Sequence, residues 1–377
     1  MIEFQNKRIM LVCTTDNMIW QFLLPHIQDL LDMGASVDCF CARTGFWFDE
    51  LKDKFGLNMV DIPFRRSPFR MKNIKAYRLL KKYQEMNHYD LIYCQQPVGG
   101  MMGRLIGKKY HIPVIYTAHG FFFFKHNNFI KNLIFKTAEK YLARYTNVLI
   151  TMSSEDFLAI STWKVKYKYM IHGIGFDDKK YDQTPFDKDT FRQELGISKE
   201  DKVIVTVAEF IKRKNYPTML KSFAKVHAQM PQTKYILCGT GKLFDKMQKL
   251  VEKLNLSDAV IFAGYRKDIN KILQVSDLML LLSKQEGLTM SIMEAMHYGL
   301  PVVTSDVRGN RDLIDDSFGG KLVDLRDVSG SAGAIIDILR DQNLAIKMGE
   351  YNREKVKKYD IDVVRAELKN IYNEVSF

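Results

Sequence analysis

The sequence contains no apolar run of about 18 residues, the least that spans a membrane as a helix, so it predicts no transmembrane segment. The apolar residues 9–13, which follow Lys7 and Arg8, are too few for a signal peptide and predict a first β-strand. Cysteine is scarce, and its five scattered residues favour reduced core thiols in a cytosolic protein over a disulfide framework. Cys39 and Cys41 have no second pair, so no zinc site is predicted.

Several signatures of catalysis and binding are also missing. The chain has no recognisable nucleic-acid-binding module and no Ser-His-Asp order typical of nucleophilic catalysis. Cys238-Gly239-Thr240-Gly241-Lys242 resembles the opening of a dinucleotide loop, but Phe244 stands where a glycine is required. We interpret it as a tight turn between a strand and a helix, with a ligand role left open. Asp-x-Asp patterns at 187–189 and 360–362 do not lie at strand ends, so no metal site is predicted.

Positive charge is unevenly distributed along the chain. The 377 residues, with 46% hydrophobic content, favour two domains with sizeable cores. Residues 1–180 carry 26 Lys and Arg against 16 Asp and Glu, a net charge of +10, whereas residues 181–377 carry 30 against 28, a net charge of +2. The excess predicts an anionic partner for the first half of the chain.

Short apolar runs alternate with longer periodic segments in both halves, which predicts parallel β-α-β units. Strands are predicted at 9–13, 36–41, 59–62, 91–94, 114–117, 148–151, 168–171, 202–207, 235–238, 260–262, 278–282, 302–304 and 320–323. Helices are predicted at 19–33, 71–86, 99–110, 128–144, 153–162, 218–229, 244–254, 269–274, 289–298, 328–340, 345–358 and 361–372. The fold class is therefore α/β, with two doubly wound, Rossmann-like domains that bind ligands in a cleft at their strand ends. The polar segment 177–200, with a short helix near Phe191, is the predicted linker.

Two glutamates follow the predicted strand at 278–282. Glu286 lies in a short loop, and Glu294 lies about two turns into the helix that follows. Free N–H groups and the dipole at the start of that helix favour an anion, and carboxylates accept hydrogen bonds from paired hydroxyl groups. The pair therefore suits a sugar attached to a phosphate. The alternative is that Glu286 caps the helix and Glu294 is solvated.

Three further strand ends carry candidate ligand groups. Lys212-Arg213-Lys214 follows the strand at 202–207 and has the charge to hold a diphosphate; the alternative is a surface loop. His119-Gly120 follows the strand at 114–117, where the alternative is a hydrogen-bonded loop histidine. Gly264-Tyr265-Arg266 follows the strand at 260–262 and can offer backbone groups to a flat base.

Basic and aromatic residues are interleaved in the first half. Residues 64–84 hold eight basic residues and no acidic one, and residues 128–144 add further lysines beside apolar side chains. Four consecutive phenylalanines, 121–124, cannot all be buried on one face, so at least one is predicted to face a cleft, a partner or a membrane. This pattern suits an anionic membrane surface or a nucleic acid, and the alternative is a solvated helix face.

Taken together, these residues resemble the family 4 retaining glycosyltransferases, which have the two-domain GT-B fold. Glu286-Gly287-Leu288-Thr289 and Glu294-Ala295-Met296 match the family's signature of two glutamates separated by seven residues, and residues 262–269 also fit. Thr117-Ala118-His119-Gly120-Phe121 looks like the family's His-Gly loop. Residues 96–144 are similar to exopolysaccharide and capsule enzymes that act on lipid-linked acceptors.

The resemblance implies a role for each matching residue. His119 and Glu286 would be the catalytic residues, both at the transferred sugar. Glu294 would bind the ribose of the donor nucleotide, and Lys214 would neutralise the leaving diphosphate. The remaining donor-binding residues would be the diphosphate-binding amides of Gly287, Leu288 and Thr289, and Gly264, Tyr265 and Arg266 around the base.

Two departures from the family pattern stand out. Glu209 occupies the position of the usual diphosphate arginine, and Arg213 is the candidate to replace it. Thr14-Thr15-Asp16-Asn17 stands where the family has a Gly-Gly loop. Residues 1–180 would form the acceptor domain, residues 181–360 the donor domain, and 361–377 a helix that crosses back to the first domain.

The prediction is a cytoplasmic glycosyltransferase held peripherally on the inner face of the cell membrane. It moves a sugar from a nucleotide sugar, favoured to be UDP-linked, to a polyprenyl-diphosphate-linked acceptor in surface polysaccharide biosynthesis, without metal, cofactor or nucleic acid. The predicted membrane and acceptor residues are Arg65, Arg66, Arg70, Lys72, Lys75, Phe121, Phe122 and Lys131. The alternatives are a nucleotide-sugar epimerase or phosphorylase on the same fold and, outside the enzymes, a nucleic-acid-binding protein.

Overall fold

A computed structural model describes residues 4–45, 47–125, 127–180 and 184–375. The chain forms two compact units, of which the first contains Met1–Gly175 with Ile361–Phe377 and the second contains Phe176–Asp360. The division falls five residues before the boundary predicted at residue 180. Part of the predicted linker, residues 181–183, lies outside the described residues.

The first unit is built on a parallel seven-stranded sheet with the strand order β3-β2-β1-β4-β5-β6-β7. Its strands are β1 Arg8–Thr15, β2 Ser36–Ala42, β3 Asn58–Asp61, β4 Leu91–Gln95, β5 Val114–Ala118, β6 Val148–Thr151 and β7 Tyr167–Met170. The helices between them are α1 Asp16–Met18, a π-helical turn Ile19–Leu23, α2 Leu24–Asp32, α3 Trp47–Asp53, α4 Lys72–Asn87, α5 Pro97–Tyr110, α6 Phe129–Ala143 and α7 Ser154–Ile160. Successive β1 side chains alternate between two cores, one on each face of the sheet.

Helix α5 lies unusually close to the sheet because it is rich in glycine. A Cβ atom on Gly100 would lie 2.3 Å from the Tyr116 ring, and one on Gly107 would lie 2.3 Å from Val114. The close approach also buries Arg104 completely, with its guanidinium 4.1 Å from the centre of the Tyr116 ring and 2.8 Å from the Glu139 carboxylate of α6. This ion pair joins α5 to α6 beneath the surface.

The second unit repeats the design with a parallel six-stranded sheet in the order β10-β9-β8-β11-β12-β13. Its strands are β8 Lys202–Val207, β9 Thr233–Cys238, β10 Val260–Gly264, β11 Leu278–Leu281, β12 Val302–Ser305 and β13 Gly320–Val323. Its helices are α8 Lys188–Glu194, α9 Tyr216–Gln229, α10 Phe244–Lys253, α11 Ile269–Gln274, α12 Met290–His297, α13 Asn310–Leu313, α14 Val328–Arg340 and α15 Gln342–Val356. In both sheets the order of the strands reverses beside the first strand of the unit.

The last helix, α16 Ile361–Glu374, belongs to the first unit. Its Arg365 and Lys369 contact the buried carboxylate of Asp29 on α2, at 2.7 and 2.9 Å. Burial acts to raise the pKa of Asp29, but hydrogen bonds from these two cations hold it below its ordinary value. The Tyr372 hydroxyl lies 3.1 Å from that of Tyr93 in the core. These contacts fix the chain end to the first sheet.

All thirteen predicted strands are confirmed, with ends that shift by up to two residues. The α/β class and the two parallel sheets are confirmed as well. The pattern missed three short helices, α1, α3 and α13. The five cysteines are buried free thiols, as predicted. None of the helices in the described ranges is both long enough and apolar enough to cross a bilayer.

Candidate active site

The second sheet brings two predicted site segments together at the point where its strand order reverses. Strands β8 and β11 are neighbours, although the chain between them passes through β9 and β10 at one edge of the sheet. Loops that leave neighbouring strands at such a switch point diverge and open a crevice at the carboxyl ends. Lys214 follows β8, and Glu286 follows β11.

Glu286 accepts hydrogen bonds from two cations. Its Oε1 lies 2.7 Å from Lys214 Nζ, and its Oε2 contacts Arg213 Nη1. The Glu286 side chain is 6% exposed and that of Lys214 is 10% exposed, whereas that of Arg213 is 41% exposed. Two positive charges therefore share one buried carboxylate, which leaves the cluster of Arg213, Lys214 and Glu286 with a net positive charge.

Backbone contacts hold the two loops in register. Lys284 N donates to Arg213 O at 2.8 Å, and Arg213 Nη1 donates to Gln285 O at 2.8 Å. Asn215, in the left-handed conformation with φ 58°, turns the chain from Lys214 into α9. Burial lowers the pKa of Lys214, and the Glu286 carboxylate opposes that effect. The unit of cations and carboxylate is thus preorganised by the fold.

The helix that follows Glu286 points an amide-rich end toward this loop. Helix α12 begins at Met290, and its N-cap residue Thr289 makes no side-chain capping bond to the helix. Among the described residues, the N–H groups of Gly287, Leu288 and Thr289 donate to no protein acceptor. Free amides and a helix dipole attract an anion. The structure thus gives these three residues the backbone environment that the sequence predicted.

A buried asparagine supports this loop, and sequence reasoning missed it. Asn310 Nδ2 donates to Thr304 Oγ1 at 2.8 Å and to Ser305 O at 3.2 Å, while its Oδ1 accepts from Thr289 Oγ1 at 3.4 Å. A Cβ atom on Gly309 would lie 1.8 Å from Gly287 O, so the two loops touch through their backbones. The signal was the Gly309-Asn310 pair shortly after β12.

Glu209 lies in a loop that packs against the glycine turn after β9. A Cβ atom on Gly239 would lie 2.1 Å from Ala208 O, and Phe210 N donates to Thr240 O at 2.8 Å. Phe210 is fully buried and stacks on the Tyr216 ring, with centroids 4.0 Å apart. Glu209 itself is exposed, so the departure from the family pattern places a carboxylate at the surface of the loop.

The remaining donor-binding predictions fall on the same unit. Glu294 is partly buried in the second turn of α12. Tyr265 is 75% exposed, next to Gly264 at φ 65°, around which there is space for a Cβ atom. Arg266 donates from Nε to Asp268 at 2.8 Å, which orients its guanidinium. The contacts of these residues with a nucleotide stay predictions.

His119 lies in the first unit, at the carboxyl end of β5. Its Nε2 is 2.7 Å from Gln95 Oε1, at the end of the neighbouring strand β4. Gln96 follows with φ 64°, and its Oε1 accepts from Thr14 N at 3.2 Å. Three strand ends therefore meet at the switch point of the first sheet. Burial, with a smaller effect of His26, lowers the pKa of His119 to about 3, so its imidazole is neutral at physiological pH.

Acid is expected to destabilise the fold through His119. The unfolded chain binds this proton near pH 6.5, whereas the folded chain binds it near pH 3, so the unfolded state holds more protons between these values. The stability contributed by neutral His119 is complete above pH 6.5 and is lost as the pH falls toward 3. Urea titrations at pH 7 and at pH 4.5 measure this effect. The free energy of unfolding should fall between these pH values by roughly 1–2 kcal/mol less in His119→Gln than in the wild type.

The control for this titration is His88→Asn. His88 is exposed, and its left-handed conformation, φ 53°, is one that asparagine tolerates. This variant should lose stability in parallel with the wild type. Equal acid sensitivity of His119→Gln and the wild type would contradict the assignment.

The prediction that Phe121 contacts a membrane or an acceptor is wrong. Phe121 has no exposed surface, because its ring stacks on Phe123 at 4.8 Å and packs against Trp163 in the core. Phe122 is half-buried against Phe135. The run of four phenylalanines lies in irregular backbone, where side chains follow neither the strand nor the helix period. The predicted cations Arg65, Arg66, Arg70, Lys72, Lys75 and Lys131 are all exposed.

Comparisons with known proteins match both units. The family model described as "Glycosyl transferases group 1" matches residues 187–355, and the model "Glycosyl transferase 4-like" matches residues 8–153. EpsD of Bacillus subtilis (strain 168), named as a provisional glycosyltransferase, is 30% identical over 373 residues, which cover 97% of this chain and 96% of that protein. The two sequences therefore correspond along almost their whole lengths.

A second relative and a solved structure agree with this match. The UDP-Gal:alpha-D-GlcNAc-diphosphoundecaprenol alpha-1,3-galactosyltransferase of Escherichia coli is 28% identical over 357 residues, covering 93% of this chain and 90% of that protein. The crystal structure of Anabaena Alr3699/HepE in complex with UDP and glucose superposes with a TM-score of 0.78 at 18% identity, covering 98% of this chain and 100% of that chain. At that identity the superposition establishes the fold, which is GT-B.

Proposed function

The chain belongs to the group 1 glycosyl transferases, and on that premise we propose that it moves a sugar from a UDP-sugar to a polyprenyl-diphosphate-linked saccharide. The donor class is supported by the UDP complex of the Anabaena protein. The acceptor class is supported by the name of the Escherichia coli relative, which specifies a diphosphoundecaprenol-linked substrate. We therefore place the proposed reaction in surface polysaccharide synthesis.

The observation that carries the proposal is the cluster of Arg213, Lys214 and Glu286 beside the free amides of the α12 loop. Cleavage of a sugar–diphosphate bond leaves negative charge on the diphosphate, and fixed cations and amides stabilise that charge most in the transition state. Each oxygen of Glu286 accepts from one cation and keeps a second lone pair. Glu286 therefore positions both cations and also accepts hydrogen bonds from the hydroxyls of the transferred sugar.

We assign the two cations the charge-neutralising role that a metal ion has in other enzymes. Arg213 takes the place of the family's arginine, because Glu209 at the usual position is acidic. With the diphosphate held on one face of the sugar, its departing oxygen takes the proton of the incoming acceptor hydroxyl. The acceptor then bonds on the face that the diphosphate left, so the anomeric configuration is retained.

Donor binding and transfer test this proposal together. A ligand that binds only the folded state stabilises it by about 2.7 kcal/mol at 100 times its Kd. If the donor is a UDP-sugar, UDP should therefore raise Tm more than GDP, ADP or CMP does. Transfer from a panel of UDP-sugars to membrane-extracted lipid-linked saccharides should then proceed in EDTA. If no nucleotide shifts Tm and no UDP-sugar is consumed, the proposal fails. Epimerised nucleotide sugar formed without acceptor would indicate an epimerase instead.

We also propose that the first unit docks on an anionic membrane. Its surface exposes large apolar side chains on two elements: Phe69 and Met71 before α4, at 76% and 77%, and Phe129 and Leu133 of α6, at 79% and 58%. The Phe69 ring lies 6.3 Å from that of Phe135 on α6, so the two elements form one surface. Arg70, Lys72, Lys75 and Lys131 are exposed on the same two segments. Apolar groups inserted between lipids, with cations at the headgroups, fit a bilayer.

Removal of two charges from this basic-apolar surface should weaken vesicle binding. Each basic residue at an anionic bilayer contributes about five-fold in affinity, so Lys72→Ala/Lys75→Ala should bind vesicles of phosphatidylglycerol and phosphatidylcholine roughly 25-fold more weakly. Co-sedimentation measures the effect. The matched control is Lys246→Ala/Lys249→Ala, which removes two exposed charges from α10 of the second unit. Equal weakening by both variants, or by neither, would contradict docking through this surface.

A further inference from the structure

The first unit contains a cavity of about 520 Å³ at the carboxyl ends of β1, β2 and β3. Thr14 and Thr15 end β1, Thr44 follows β2, and Arg65 and Arg66 follow β3. The carboxyl ends of parallel strands are where open α/β sheets bind ligands. The position and volume of the cavity are those of a ligand site rather than of a packing defect.

Part of the cavity lining suits a sugar. Asn17 and the three threonines offer hydroxyl and amide groups, and Trp47 offers a broad aromatic face. Trp47 is braced by Trp20, whose ring stacks on it with centroids 4.4 Å apart. The buried carboxylate of Asp16 accepts from Asn17 N at 2.8 Å and from Thr44 N at 3.0 Å, which holds the two loops together.

The cavity lining also contains two arginines. Arg65 and Arg66 are both exposed, and neither pairs with a carboxylate within the ranges that the structure describes. Their backbone is nevertheless fixed by the buried side chain of Asn73, which accepts from Arg65 N at 2.9 Å and donates to Ser67 O at 2.9 Å. Two adjacent arginines on a fixed backbone can hold phosphate oxygens in a bidentate manner.

The basic-apolar surface begins close to the cavity. Phe69 and Met71 follow Arg66 by three and five residues, and three residues of chain span at most about 10 Å. Polar groups and two arginines therefore line the cavity, and exposed apolar side chains lie near it. A lipid-linked saccharide likewise joins a polar sugar, a charged diphosphate and an apolar prenyl chain.

We propose that this cavity binds the headgroup of the acceptor. The sugar lies against Trp47 among the hydroxyl groups, Arg65 and Arg66 hold the diphosphate, and the prenyl chain runs toward Phe69 and Met71. The proposal rests on the proposed function for the nature of the acceptor. It adds the site itself, and it separates Arg65 and Arg66, which bind the acceptor, from the cations that contact lipid headgroups.

Direct binding of geranyl diphosphate tests the arginine pair without donor or membrane. Calorimetry on the full chain should show that Arg65→Ala/Arg66→Ala binds geranyl diphosphate at least 30-fold more weakly than the wild type. Lys246→Ala/Lys249→Ala removes the same charge from the second unit and should bind as the wild type does. A change below three-fold in the arginine variant, or an equal loss in the lysine variant, would overturn the assignment of the diphosphate.

The sugar end is tested with geranyl-diphosphate-linked glucose, galactose, N-acetylglucosamine and N-acetylgalactosamine. At least one should bind the wild type ten-fold more tightly than geranyl diphosphate does. Trp47→Ala should abolish that gain, and Trp47→Phe, which keeps an aromatic face, should retain most of it. The sugar assignment falls if no sugar gives a gain or if the gain survives in Trp47→Ala.

These outcomes are distinguishable from failure of the proposed function. Stabilisation by UDP depends on the second unit and should be the same in the wild type and in Arg65→Ala/Arg66→Ala. If UDP does not stabilise the wild type but the arginine pair is needed for geranyl diphosphate, the cavity stands and the donor proposal falls. If UDP stabilises both proteins and geranyl diphosphate binds them equally, only the cavity proposal falls.

Discussion

Replacing Lys214 with methionine is expected to lower kcat/KM for the sugar donor by roughly 10²- to 10³-fold. Methionine is of similar length but uncharged, so the leaving diphosphate would lose a cation whose side chain is only 10% exposed. Glu286 would keep its contact with Arg213, which limits damage to the fold. Initial rates of transfer at varied donor concentration, with Tm measured in parallel, give the result.

A neighbouring lysine provides the control. Lys212 belongs to the same short turn but is exposed, so Lys212→Met should remain within three-fold of the wild type. Lys214→Arg keeps the charge in a different shape and should fall between the two. If kcat/KM falls less than ten-fold in Lys214→Met, or falls equally in Lys212→Met, the assignment of Lys214 to the diphosphate site is contradicted.

The second large effect is expected for Glu286→Gln, with transfer lowered by about 10²-fold. The amide keeps the shape of the side chain but places an N–H₂ group against cations, so Arg213 and Lys214 lose their common anchor. If Glu286 acted only through the cations, UDP affinity and transfer would fall in the same proportion. Because it should also accept from the sugar, transfer is expected to fall about ten-fold further than UDP affinity.

A double variant separates shared from independent effects. Lys214→Met and Glu286→Gln touch one hydrogen-bonded unit, so the combined variant should lose much less than the product of the two single losses. Glu209→Gln is the control, since it neutralises an exposed carboxylate near the same turn and should change transfer by less than three-fold. If the loss in the double variant equals the product of the two single losses, Lys214 and Glu286 act independently.

The strands were predictable because their signal is local. The run 278–282, which contains β11, is apolar at every position and is bounded by Asp277 and Ser283, and a strand buried on both faces requires that pattern. Helix α3 was not predictable in this way, because its seven residues offer too few turns for a helical period. The failure to predict α3 mattered, since α3 begins with Trp47 of the proposed acceptor cavity.

Burial in irregular segments was also beyond local reasoning. Phe121 and Phe122 are adjacent and chemically identical, yet the first is fully buried and the second is half-buried. Which of them enters the core depends on Trp163 and Phe135, side chains more than ten residues away along the chain. In the same way, the complete burial of Arg104 depends on the close approach that Gly100 allows between α5 and β5.

By itself, the sequence determined the α/β class and the thirteen strands, and it predicted candidate residues such as Lys214 and Glu286 in the loops that follow those strands. The tertiary structure decided which of them meet. Lys214 and Glu286 lie 72 residues apart, and they form an ion pair only because β8 and β11 are neighbours at the switch point of their sheet. Strand order depends on non-local pairing, which the periodicity of a single segment does not encode. That pairing turned two separate motifs into one cluster that combines a buried ion pair with a net positive charge.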